Sequence, residues 1–266
     1  MPVNLALVQL DVSSKEPVTA RIARTLELIN EASQTADVVV LPELWHVGAF
    51  DIPAAQEYAE ALNGPLVTLM RESAASNGIW LHAGSFAERD TVGNLYNTSV
   101  LIDPNGEVIA TYRKVHLFGF DTGEAAALCG GTDIAVAETV LGMTGLSTCY
   151  DLRFPELFRM LGQRHATTVM VSSGWPQARI EAWNVLVRAR AIENQCWVIA
   201  CNEIGVQGDV VLGGHSQVVS PQGEVVAKAS TDECILYAEV DPEMPARVRE
   251  DFPVLRDIRI SGAFIH

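Results

Sequence analysis

The 266-residue chain is short of positive charge: 18 lysines and arginines stand against 33 aspartates and glutamates, a formal net charge of -15. Nucleic-acid binding relies on clustered cations, so this balance argues against it and points to a small-molecule partner. Long apolar runs are missing as well. No stretch approaches the roughly 20 residues of a membrane span, and the opening MPVNLALVQLDV carries neither a basic leader nor a signal-type apolar segment. A cytoplasmic chain without a membrane partner is the expectation. Cysteine pairs of the C-x-x-C type are absent among the five cysteines at 129, 149, 196, 201 and 234. An odd, unpaired set argues against a disulfide framework and against a structural zinc site. No Pro-, Gly- or Ser-rich linker interrupts the sequence, and 48% of it is hydrophobic, so one domain over residues 1–266 with a sizeable core is expected.

What is present alternates strand with helix. Val3 to Leu10 is apolar, and Val18, Ile22, Leu26 and Ile29 then recur at helical spacing behind a Ser13-x-x-Glu16 pattern that suggests a capping box. Asp37 to Leu41 reads as a buried strand ending at Pro42-Glu43, Pro65 to Ser76 as a helix and Ile79 to Ser85 as a strand. Thr168 to Ser172 and Cys196 to Asn202 are further buried strands. Between them Gln177 to Asn194 is an amphipathic helix with Ile180, Trp183, Val187 and Ala191 on one side. The fold class is α/β. Two segments, SVLIDPNGEVIA from Ser99 and SQVVSPQGEVVA from Ser216, both place Pro-x-Gly-Glu between β-rich arms, which makes each a hairpin. Either such hairpins are simply common, or the chain carries an internal repeat and forms a pseudo-twofold sandwich of two sheets. The arginine-containing tail, about 242–266, has no clear period and is left to pack on its own domain or across a dimer.

Cys149 lies between the apolar run Val140 to Thr148 and Pro155, a residue suited to open a helix. A cysteine on such a turn is either one more buried thiol or an exposed nucleophile, with helix N–H groups favouring a thiolate and a developing oxyanion. Glu43 directly follows a buried strand and is either a loop acid or a carboxylate at a pocket mouth. Lys114, in YRKVHLF, taken alone reads as a surface lysine. His116 shares a face with Lys114 in an extended strand, so a Cys149–His116 dyad is a rival mechanism.

Together, LPELW around Glu43, YRKVHLF around Lys114, STCYDLRFPEL around Cys149 and WNVLVRARAIENQCWVIACNEIG from Trp183 resemble the carbon–nitrogen hydrolase (nitrilase) superfamily, and FPVLRDIR near the end resembles its omega-amidase-like branch. The resemblance implies a four-layer αββα sandwich with internal pseudo-twofold symmetry, a Glu43–Lys114–Cys149 triad, and a homodimer or higher homo-oligomer. It also implies an additional glutamate at Glu124, with Asp121 as a competitor, and a pocket loop carrying Trp175. Arg153, Glu156, Arg188, Arg190 and Glu193 would be structural ion pairs. In this scheme Cys149 attacks an amide carbonyl, Glu43 moves the protons, and Lys114 with the Tyr150 N–H holds the oxyanion. Phe118 and Tyr150 join Trp175 as substrate-binding candidates, and no metal or organic cofactor is required. Omega-amidases act on 2-oxoglutaramate and 2-oxosuccinamate, so a small carboxylate-bearing amide is the expected substrate. N-carbamoyl amino acids, deaminated glutathione and nitriles use the same triad, and a non-catalytic interaction scaffold is the alternative of another class. One departure stands out: Glu203, in CNEIG, occupies a position where related amidases often have arginine.

Overall fold

A computed structural model describes residues 1–119 and 121–260. The first half builds strands β1 (Val3–Gln9), β2 (Val38–Val40), β3 (Trp80–Arg89), β4 (Leu95–Ile102) and β5 (Val108–Arg113). The second half builds β6 (Val136–Thr139), β7 (Gly142–Thr148), β8 (Thr168–Ser173) and β9 (Trp197–Asn202), a two-stranded ribbon of β10 (Ile204–Gln207) and β11 (Val210–Gly213), then β12 (Gln217–Val219), β13 (Val225–Lys228) and β14 (Cys234–Val240). Helices α1 (Val18–Ala32), α2 (Ile52–Glu57), α3 (Pro65–Asn77), α4 (Glu124–Ala127), α5 (Pro155–Gln163), α6 (Ile180–Asn194) and α7 (Met244–Asp251) fill the intervals.

The two main sheets have matching strand orders, β14-β1-β2-β3-β4-β5 and β6-β7-β8-β9-β12-β13. In each, three parallel strands are followed by an antiparallel pair and flanked by an antiparallel edge strand. The Pro-x-Gly-Glu hairpins are the same strand pair in both sheets. Their registers slip at equivalent points, Leu101/Ile102 and Val218/Val219. Asp103 and Ser220 then play the same part at the turn, their side-chain oxygens accepting from the N–H groups two and four residues on. Gly106 and Gly223 both hold positive φ there, 80° and 85°, a conformation glycine adopts without strain. The internal repeat is therefore structural.

Alternation along each central strand sorts its side chains into two cores. Leu5, Leu7, Val38 and Val40 face the second sheet, with Leu146, Met170 and Ile199, while Ala6, Val8, Val39 and Leu41 pack under α1 and α3. On the far side Phe158, Leu161, Trp183 and Val187 of α5 and α6 cover the second sheet. Both faces of both sheets are thus covered, which is why the central strands read as continuous apolar runs. The result is the four-layer αββα sandwich. Ser99, Thr148 and Ser172 form a small hydroxyl seam between the sheets, 3.0–3.4 Å apart.

Two local expectations fail. No Ser13–Glu16 capping box forms: α1 starts after Pro17, and the Glu16 carboxylate instead takes Arg24 and Arg21. The buried stripe of α1 is Arg21, Thr25, Ile29 and Ala32, because the Arg21 guanidinium turns inward to donate to the Ser13 and His46 carbonyls. The tail, where no period was legible, contains α7, which docks on its own chain through Arg249 donating to the Ala166, Asn194 and Gln195 carbonyls. Residues 261–266 of that tail, Phe264 included, lie outside the described residues.

Candidate active site

The parallel strands of each sheet end on the same side, and their C-terminal ends deliver Glu43, Cys149 and Gly174. Glu43 follows β2 at a tight corner where Leu44 has φ 41° and donates its N–H to Ser85 Oγ. Gly84 makes that corner possible, because a Cβ there would sit 2.0 Å from the Pro42 carbonyl oxygen. Lys114 follows β5, its N–H bound to the Asn97 carbonyl. Far from being a surface group, it is 1% exposed.

Lys114 Nζ donates to Glu43 Oε1 and to Glu124 Oε2, both at 2.7 Å. Asn97 Nδ2 bridges the same carboxylates, 2.8 Å from Glu43 Oε1 and 2.8 Å from Glu124 Oε1. The Gly174 N–H holds Glu43 Oε2 and the Phe118 N–H holds Glu124 Oε2. Glu124, at the start of α4, therefore reaches the lysine, whereas Asp121 is exposed on the preceding loop. Burial opposes the Lys114 ammonium, but the charges of Glu124 and Glu43 outweigh it and hold its pKa well above the ordinary lysine value. Burial raises the Glu124 carboxyl, against the pull of Lys114.

Cys149 sits at φ 46° on the first residue of a 3-10 turn, Cys149–Arg153, immediately after β7. Asp151 locks this turn. Its carboxylate accepts from the Thr148 N–H, the Tyr112 hydroxyl, the His116 N–H and the His116 ring Nδ1, all within 2.7–3.0 Å. His116, stacked on Phe154 at 3.7 Å, is thus committed to Asp151 and to the turn, so it forms no dyad with the thiol. Pro155 opens α5 as expected. The thiol differs from the expected thiolate: burial first, then the Glu43 charge, push its pKa well above the usual value despite Lys114 and the neighbouring Ser173 hydroxyl. The helix dipole acts only over the first turn, and α5 begins six residues downstream.

These groups floor a cavity of about 300 Å³, also lined by Phe118, Tyr150, Trp175, Arg153, Arg179 and Val210. Phe118 and Tyr150 meet edge to face, ring centroids 5.4 Å apart. Trp175 forms part of the wall but is 2% exposed; its indole N–H donates to the Arg179 carbonyl and its ring packs on Trp183. Arg153 is a correction. It makes no ion pair among the described residues; its guanidinium lies 5.0 Å from the centre of the Trp175 ring and lines the cavity. Of the expected ion pairs, Arg190–Glu193 forms at 2.8 Å, while Arg188 donates to the Gly223 carbonyl. Asn97, Gly174, Ser173 and Arg179 are site residues that sequence reasoning missed. Asn97 carries a signal that could have revealed it: with Ser99 it puts polar side chains on the inward face of β4, between Leu95 and Leu101. No group of histidine, cysteine or acidic side chains suited to hold a metal ion occurs among the described residues.

The carbon–nitrogen hydrolase family profile matches residues 4–250. A 2-oxoglutaramate amidase of Paenarthrobacter nicotinovorans is 40% identical over 96% of this chain and 89% of its own length. A second 2-oxoglutaramate amidase, from Bacillus subtilis (strain 168), is 36% identical over 96% of this chain and 97% of its own. The crystal structure of Saccharomyces cerevisiae Nit3, a member of branch 10 of the nitrilase superfamily, superposes with a TM-score of 0.88 at 31% identity, covering 97% of both chains. The chain belongs to the carbon–nitrogen hydrolase family and, within it, is an amidase.

Proposed function

We propose that the chain is a thiol amidase that converts a small, carboxylate-bearing amide to its acid and ammonia, with Cys149 as nucleophile, Glu43 as general base and acid, and Lys114 as the oxyanion cation. The observation that carries this reading is the bridging lysine. An ammonium has three N–H donors; two are spent on Glu43 and Glu124, and the third has no acceptor among the described residues on a side chain that lines the cavity with Cys149. Glu124 holds the lysine in place rather than reacting.

Because the resting thiol is protonated, attack and proton transfer proceed together. The Cys149 sulfur bonds to the carbonyl carbon as its proton passes to Glu43, and the oxygen gains its negative charge against Lys114 and the Tyr150 N–H. Collapse breaks the C–N bond while Glu43 returns the proton to the nitrogen, so ammonia leaves and a thioester stays. Water then gives a proton to Glu43 and its oxygen to the acyl carbon. The second collapse expels the sulfur, which takes the proton back as the acid departs. The sum is amide plus water to acid plus ammonia.

A carboxylate on the substrate is supported by Arg153 and Arg179, two cavity-lining cations in a chain of net charge -15. They stand over the Trp175 and Phe118 rings and make no ion pair among the described residues. The relatives named as 2-oxoglutaramate amidases agree in chemical class. Ammonia release from 2-oxoglutaramate and 2-oxosuccinamate, run beside carbamoyl amino acids and nitriles, tests the assignment. Turnover of the first pair above the Cys149→Ala level is expected; turnover equal to that variant refutes the substrate claim. A homodimer in the cytoplasm remains part of the proposal, tested by solution mass and by fractionation.

A further inference from the structure

One buried carboxyl is left over from this mechanism. Glu203, just after β9, is completely buried, and among the described residues neither side-chain oxygen has a hydrogen-bond partner, the Ala49 N–H acting on it weakly. It stands directly behind the base. A Cβ added to Gly174 would lie 2.8 Å from Glu203 Oε2 and 3.5 Å from Glu43 Oε2, so the two carboxyls converge on either side of one glycine. Their surroundings are unequal: Glu43 accepts from Lys114, Asn97 and the Gly174 N–H, and Glu203 from none of these. The charges nearby do not make up the difference. Arg21 of α1 acts on Glu203 only at a distance, its guanidinium being spent on Glu16 and on the Ser13 and His46 carbonyls. His46 is neutral, its pKa pushed down to about 3 by burial. Cys201, two residues back on the same strand, has its thiol raised by burial.

We propose that Glu203 is a positioning residue for Glu43: the two carboxyls hold one proton between them, it rests on Glu203, and Glu43 is thereby kept as the charged partner of Lys114 that receives the Cys149 proton. This rests on the reading of Glu43 and Cys149 given above. The physical reason is charge number. With Glu203 ionised, Lys114 alone would face three buried carboxylates, and a buried charge without a partner is far more costly than a buried neutral acid. Burial, and then the Glu43 charge, do hold the Glu203 carboxyl well above the ordinary glutamate value. Like charges so placed cannot both ionise freely. An added negative charge behind the base would also oppose the thiolate and the oxyanion in front of it.

Two measurements on the full-length chain test this. Infrared difference spectra between the unsubstituted chain and Glu203→Gln at neutral pH should contain the carbonyl stretch of a protonated carboxyl that shifts in deuterium oxide; a carboxylate pair of bands in its place overturns the proposal. Separately, Cys149 alkylation by iodoacetamide is followed by peptide mass spectrometry against pH. Glu203→Gln replaces the protonated carboxyl by a neutral group of the same shape, so its profile should superimpose on that of the unsubstituted chain. A midpoint moved to lower pH by about half a unit or more, roughly a threefold faster rate below the midpoint, shows that Glu203 is charged there and overturns the inference. Glu203→Met, apolar and of similar length, supplies the same readouts should the buried amide of Gln unfold the chain. Glu43→Gln separates the layers: if it leaves the alkylation profile unmoved, the assignment of Glu43 as the base of Cys149 falls together with the inference. If it moves the profile and Glu203→Gln moves it too, the inference alone falls.

Discussion

Replacing Lys114 by Met keeps the length of the side chain and removes the cation that joins Glu43 to Glu124. Both contacts are 2.7 Å and all three side chains are at most 6% exposed, so solvent screens little of the loss. Breaking a buried pair from one side leaves an uncompensated charge and costs about 3–5 kcal/mol. Asn97 still donates to both carboxylates, which places the expected loss near the lower end of that range. Its pH dependence has a definite sign. Burial already raises the Glu124 carboxyl above its ordinary 4.5, and without Lys114 it rises further. A carboxyl with a folded-state pKa above its unfolded value binds more protons when folded, so stability falls as pH climbs from 4.5 toward the folded value. The variant should therefore be closest to the unsubstituted chain in acid and furthest from it in alkali. Urea denaturation at several pH values measures this, and amidase turnover in parallel should fall by about 10²–10³, the usual loss on removing an oxyanion donor. Equal stability with an unchanged pH profile would refute the electrostatic account of the cluster, and turnover within a few-fold of the original would refute the role given to Lys114.

Gly174→Ala would put its Cβ 2.3 Å from the Ala49 Cβ and 2.8 Å from Glu203 Oε2; about 1–3 kcal/mol of stability is expected to go, with unchanged urea midpoints as the contrary result. Arg153→Ala and Arg179→Ala should each raise KM for a carboxylate-bearing amide by roughly tenfold or more, the scale of a charge-assisted hydrogen bond. A neutral amide of the same length should be affected far less, and equal effects on both would remove the anchor argument. Asp151→Ala strips four donors of their shared acceptor at the Cys149 turn. It should cost about 2–4 kcal/mol and slow Cys149 alkylation, whereas a loss of stability with the alkylation rate intact would separate the turn from the thiol.

Much of this architecture was legible because the central strands are covered on both faces and so stand out as apolar runs between amphipathic helices. The hairpin repeat was readable from turn chemistry, though only the matching strand orders decide that it reflects pseudo-symmetry. Other elements leave no hydrophobic trace. Helix α7 buries a single residue, Pro245, and docks through Arg249 to backbone carbonyls, so it has no period to detect. The β10–β11 ribbon is four residues a strand with exposed Val206 and Val211. At the site, Arg153 and Glu156 have the spacing of a helical ion pair, but α5 starts between them at Pro155, and the 3-10 turn swings Arg153 into the cavity instead. Position along the chain placed Cys149 on a turn at a strand end; the raised pKa of its thiol comes from burial, which only the packed structure reveals. Glu203 was visible in sequence as a departure. Its nearness to Glu43 depends on a glycine 29 residues earlier on the neighbouring strand's end.

The measurement that bears most directly on the central claim is capture of the acyl enzyme. The chain is mixed with 2-oxoglutaramate, quenched in acid within the first turnovers, digested, and its cysteine peptides weighed. The thioester mechanism requires the acyl mass on the peptide containing Cys149, absent from Cys149→Ala and from peptides carrying Cys129, Cys196, Cys201 or Cys234. Ammonia release with no adduct on Cys149, or with turnover surviving in Cys149→Ala, would contradict it.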